Sequence, residues 1–125
     1  MPLPPRLEKE TAELRQGFEM EVIEESDIIN LVLRSFPFGD GYNRPVADLL
    51  LRIPRTYPDS GPDMFWTIPE LTLASGGAPQ SAESMENYIG KQWRRFSWHK
   101  SAWNPAIDNL HGYLEFIRRR LCEKK

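Results

Sequence analysis

Eleven prolines interrupt this 125-residue chain, and most of those in its middle, Pro37, Pro45, Pro54, Pro58, Pro62, Pro69 and Pro79, fall between apolar segments rather than inside them. Proline removes a backbone donor and restricts the residue before it, so these positions punctuate a β-containing core. Phe18, Met20 and Val22 alternate with Glu19, Glu21 and Glu24, which predicts a strand with one wet, acidic face. A second strand is predicted over Ile28 to Phe36. A third, Ala47 to Ile53, is apolar enough near its middle to be buried on both faces. Met64 to Ile68 reads as a short fourth strand, and Leu71 to Tyr88 as loop with one helical turn at Ala82 to Tyr88 capped by Ser81.

The ends of the chain are helical in pattern. Pro5 to Gln16 combines good helix formers with proline at the start and Gly17 just past the end, and its thin stripe of Leu7 and Leu14 with Ala12 predicts a surface helix. Asn104 and Pro105 open a second helix, on which Ile107, Leu110, Leu114, Ile117 and Leu121 form an apolar stripe and Arg118, Arg119 and Arg120 complement the C-terminal dipole. Strands follow one another without a helix between them. The predicted architecture is therefore one α+β domain over residues 1–125: an N-terminal helix, an antiparallel meander of three to four strands, and a C-terminal helix.

Composition removes several function classes. At 40% hydrophobic residues the chain can build a core, which excludes a disordered tail, and a net charge of -2 gives no bulk field for nucleic acid. A single cysteine, Cys122, cannot form an internal disulfide, and no Cys and His cluster has metal-ligand spacing. No metal, cofactor or membrane partner is expected, and a reduced, cytoplasmic compartment fits. The N-terminus has no apolar run of a signal peptide and no apolar stretch could span a bilayer.

Chemistry concentrates between Gly90 and Trp103, where three of the four tryptophans stand among cations and no acidic residue occurs between Glu86 and Asp108. Stacking of bases on these aromatics is one reading; the other, favoured by the acidic chain, is that Trp93, Phe96 and Trp103 pack inward. Ser97 and His99 are the candidate nucleophile and base, since an imidazole could take the hydroxyl proton, although triads generally join separate segments. His111 reads as a partly buried helix histidine, Cys122 as a small hydrophobe or exposed thiol, and Asp59 and Asp63 as loop residues making turns.

Two segments carry a resemblance. Arg52-Ile-Pro-Arg-Thr-Tyr-Pro58 with Pro62, followed by Trp103-Asn-Pro-Ala106 at a helix start, resembles the ubiquitin-conjugating-enzyme fold. More closely, Tyr57-Pro-Asp-Ser-Gly-Pro-Asp-Met-Phe-Trp66, Trp93-Arg-Arg-Phe-Ser-Trp-His99 and Trp103-Asn-Pro-Ala-Ile-Asp-Asn-Leu110 resemble prokaryotic family E of this UBC/RWD superfamily, over nearly the whole chain. Conjugating enzymes carry a His-Pro-Asn signature and then a cysteine, placed near Arg95 by its spacing from Trp103. Neither is present here.

The resemblance implies a conjugating-enzyme-like component of a bacterial ubiquitin-like modification system that lacks the acceptor cysteine and acts by binding, a pseudoenzyme. The implied partners are a ubiquitin-like protein and an activating-enzyme-like protein, with no nucleic acid. The first helix would offer Arg6, Lys9 and Arg15 to the activating enzyme. Tyr57, Trp93, Arg94, Arg95, Trp98 and Trp103 would form the vestigial site, whose cations grip the ubiquitin-like tail. Two alternatives stay open: acyl transfer through Ser97 or His99, and an RWD-like interaction domain unrelated to modification.

Overall fold

The computed structural model describes residues 3–100 and 102–123. Helix α1 (Pro5–Leu14) precedes strands β1 (Met20–Glu24), β2 (Ile28–Pro37), β3 (Val46–Pro54), β4 (Phe65–Thr67), β5 (Met85–Tyr88) and β6 (Lys91–Phe96), and helix α2 (Leu110–Glu123) follows. The strands form one antiparallel sheet in the order β1-β2-β3-β4-β6-β5. Six strands replace the three to four expected, because the sheet continues past the meander into a hairpin.

That hairpin corrects the predicted helical turn over Ala82 to Tyr88. Tyr88 pairs with Lys91 across Ile89 and Gly90, both at positive φ (47° and 79°), the geometry of a two-residue hairpin turn. Such turns are usually announced by Asn-Gly or Asp-Gly. Isoleucine at the first position hides the signal, and the partner strand supplies the ladder that Met85 to Tyr88 could not specify alone.

In β2, Ile29, Leu31 and Leu33 face inward and Asn30 and Val32 outward until a bulge between Leu33 and Phe36 restores the phase. Ser35 sits in the left-handed region there, φ 53°, and Asp48 on β3 holds the bulge by accepting from Ser35 N–H at 3.2 Å and from the Arg34 guanidinium at 2.7 Å. Leu49, Leu50 and Leu51 on β3 are all fully buried, as the apolar run predicted. The inner face joins α1 and α2 in the main core, to which α1 contributes Leu7 and Leu14 while Ala12 stays exposed. On the outer face Val32, Leu50, Trp66 and Trp93 form a smaller cluster, flanked by Tyr88 with the Arg52 guanidinium 3.8 Å from its ring.

Helix α2 begins later than the sequence indicated. Asn104 does not cap it: its Oδ1 accepts from Ala106 N–H while Asp108 accepts from Asn104 N–H, closing a separate turn over 104–108. Asn109 takes the capping role, with Oδ1 accepting from Gly112 N–H at 2.8 Å. Ile107 consequently leaves the apolar stripe and is 74% exposed, and Tyr113 takes its place beside Leu110, Leu114, Ile117 and Leu121. Ile107→Ser should therefore change the unfolding free energy, read by urea denaturation, by less than about 0.5 kcal/mol, the range of ordinary surface changes. A loss above about 2 kcal/mol, the scale of a core truncation, would place Ile107 in the core after all.

Candidate functional site

The loops 55–64 and 97–109 meet at one end of the sheet. Trp103 lies against Gly61, where a Cβ would come within 2.1 Å of its ring, donates Nε1–H to Pro58 O at 2.7 Å, and packs on Tyr57 with ring centroids 5.8 Å apart. Tyr57 is buried and its hydroxyl donates to Glu10. Burial pushes the Tyr57 phenol well above its ordinary pKa, and the bond to Glu10 adds to this, so it remains a neutral donor.

Strand β6 carries most of the predicted site, and alternation sends its side chains to opposite faces. Trp93 is fully buried in the outer cluster and donates Nε1–H to Tyr88 O. Arg94, 7% exposed, points inward and donates to Ala82 O at 2.6 Å and to Pro69 O at 2.9 Å, tying down the segment between β4 and β5. Burial pulls its pKa down, opposed by Glu83, but a guanidinium stays charged in this range. Arg95 returns to the outer face, pairs with Glu86 at 2.9 Å and donates Nε–H to Ser97 Oγ at 2.9 Å. Trp98 is buried against Phe65 and Phe96 and donates Nε1–H to Gln80 O.

The sequence segment without acids is thus not a cationic patch in space. Glu86 on β5 lies beside it; burial tends to raise its pKa, yet hydrogen bonds from Trp66 and Tyr88 and the charge of Arg95 hold it below the ordinary carboxylate value. Trp93 and Phe96 on β6 and Trp98 just after it are buried, so these rings offer no open face for stacking. The cations of Arg94 and Arg95 are held by the chain's own carbonyls and carboxylate.

Ser97 and His99 are not joined by a hydrogen bond. The Ser97 hydroxyl accepts from Arg95, whereas His99 Nδ1 lies 2.7 Å from Asp63 Oδ1. Asp63 was legible only as a turn residue; a pairing across 36 positions has no local signature. Lys9 on α1 and Arg15 just past its end are exposed, but Arg6 pairs with Glu10 of its own helix at 2.8 Å and reaches across to the 104–108 turn before α2, donating to the carbonyls of Pro105 and Asp108. Among the described residues no group of three or more His, Cys, Asp or Glu is placed to hold a metal ion, and no helix is long and apolar enough to cross a membrane.

The model of prokaryotic E2 family E matches residues 7–124 of the chain. The chain belongs to prokaryotic E2 family E. No curated protein and no solved structure matches it. In this family E chain the one cysteine, Cys122, is exposed on α2. The position near Arg95, where the resemblance to conjugating enzymes places an acceptor cysteine, falls at the C-terminal end of β6.

Proposed function

We propose that this family E chain is a conjugating-enzyme-like domain of the UBC/RWD fold that works by binding a ubiquitin-like protein and an activating-enzyme-like protein, without an acceptor thiol of its own. The observation that carries this reading is the place of the sole cysteine: Cys122 stands on α2, while the segment from Gly90 to Trp103 holds none. Thioester transfer needs a thiolate that both attacks the acyl carbon and leaves it again. An oxyester at Ser97 is disfavoured because its hydroxyl accepts a hydrogen bond from Arg95, and no hydrogen bond joins it to His99 as a base.

Lys9, exposed on α1, and Arg15, exposed just past its end, are the cations this reading assigns to the activating-enzyme contact. Arg6 supports it only indirectly, by fixing α1 to the 104–108 turn that precedes α2. The test is incubation of the chain with a bacterial ubiquitin-like protein and its activating enzyme, plus ATP, followed by intact mass and a sizing column. A stable complex with no adduct is the expected result, and Lys9→Glu with Arg15→Glu should weaken it about tenfold, more at low than at high salt. An adduct cleaved by reducing agent would overturn the thiol-free reading. Absence of any complex would leave a plain interaction domain of another pathway.

A further inference from the structure

The two histidines of this chain are held by opposite nitrogens. His111 uses Nε2, 2.9 Å from Glu13 Oε1, whereas His99 uses Nδ1, 2.7 Å from Asp63 Oδ1. A carboxylate on Nδ1 fixes the Nδ1–H tautomer and leaves Nε2 as a lone pair, and among the described residues His99 Nε2 has no partner. His99 also lines a groove of about 620 Å³ between its own loop and the outer side of α2. Charges of both signs stand along it, the Lys100 and Asp108 pair at 3.2 Å and Arg119 with Glu115, beside the ring of Phe116. Gly112, with no side chain, keeps the helix surface low at this point. The volume is in the range that accepts a ligand, and the polar, open lining suits the end of an extended chain rather than a compact apolar molecule.

We infer that His99 Nε2, oriented by Asp63, is a nucleophile toward activated acyl groups, esters or thioesters, presented in this groove. Nε2 attacks the acyl carbon; the new N–C bond forms as the C–S or C–O bond breaks, and the thiolate or alkoxide departs with the electron pair. Asp63, hydrogen-bonded to Nδ1–H, stabilises the positive charge on the ring. An amine or water then attacks the acyl-imidazolium, yielding amide or carboxylic acid. The proton it loses neutralises the departed anion, and the imidazole is regenerated. This goes beyond the binding reading and does not rest on it: a small ester needs no protein partner, so either can fail alone.

The test uses the full chain carrying Cys122→Ser, so that the exposed thiol does not contribute, with p-nitrophenyl acetate near neutral pH. In that background His99→Gln should lower the second-order rate about tenfold, Asp63→Asn about threefold, and His111→Gln by less than about twofold. Nitrogen NMR of the rings should show His99 as the Nδ1–H tautomer, and a mixture of tautomers after Asp63→Asn. Both side chains are well exposed, 59% for His99 and 61% for Asp63, so neither substitution threatens folding. Equal losses in the His99 and His111 variants, or an unchanged rate in His99→Gln, would overturn the assignment. An unchanged rate and tautomer in Asp63→Asn would remove Asp63 from it.

Discussion

Replacing Glu10 with alanine will lower the unfolding free energy by about 3 to 5 kcal/mol, because it leaves two buried donors and a partly buried cation short of an acceptor. Glu10 is a charged residue in the middle of α1, yet only 4% exposed. One carboxylate oxygen accepts from the Tyr57 hydroxyl and from Leu110 N–H at 2.8 Å, and the other from Arg6 Nε–H at 2.8 Å. Leu110 N–H is a free donor at the start of α2, so the carboxylate of one helix satisfies the first turn of the other and places a negative charge at the positive end of its dipole. Glu10→Gln keeps an acceptor for Tyr57 and Leu110 but turns an amide toward Arg6, and should cost about 1 to 2 kcal/mol. Tyr57→Phe combined with Glu10→Ala should cost less than the sum of the two, since one partner of a shared bond is already gone. Urea unfolding of the parent and the four variants reads all of this. A loss below about 1 kcal/mol for Glu10→Ala would mean that water replaces the carboxylate and that the two helices are held by apolar contact alone.

The difference between Glu10 and the residues read correctly from sequence shows where such reading stops. Leu49 to Leu51, Leu114 and Leu121 declare themselves through period and apolarity, because burying them is favourable whatever their partner. The two helices and the first four strands were legible for that reason. Glu10 sits at i+4 from Arg6 in an otherwise ordinary surface pattern, and nothing local distinguishes a carboxylate that will be buried by residues 57 and 110 from one that faces water. Strands β5 and β6 were missed because Ser-Met-Glu-Asn-Tyr has no alternation and Ile89 occupies a turn position usually given to Asn or Asp. Within the candidate site, the motif residues Tyr57, Trp93 and Trp103 were identified, but their side chains proved to be packing elements. The pair with open chemistry, Asp63 and His99, joins two loops that only the completed sheet brings together.

Trp103 makes the same point from the side of sterics, and gives the second large effect. Gly61→Ala will destabilise the chain by about 2 to 4 kcal/mol, approaching the cost of deleting a packed tryptophan. The added Cβ would stand 2.1 Å from Trp103 Cδ2 and 2.5 Å from Cε2 and Cε3, which no bond-angle adjustment absorbs. The obstacle is a rigid ring fixed by Nε1–H to Pro58 O and by its contact with Tyr57, so the ring must leave its seat. Leaving breaks the bond to Pro58 and uncovers Tyr57, and it frees the 97–109 loop from the 55–64 loop. Trp103→Ala should cost a similar amount, and the double variant hardly more than either single one, because both remove the same seat. The loop carrying His99 would shift away from the loop carrying Asp63, so the Nδ1–H tautomer should be lost in Gly61→Ala even at temperatures where the core stays folded. Calorimetry and ring nitrogen shifts on the same samples separate the two readouts. Additive losses in the double variant would show that Gly61 and Trp103 do not share a seat, and that the two loops are joined by something other than this contact.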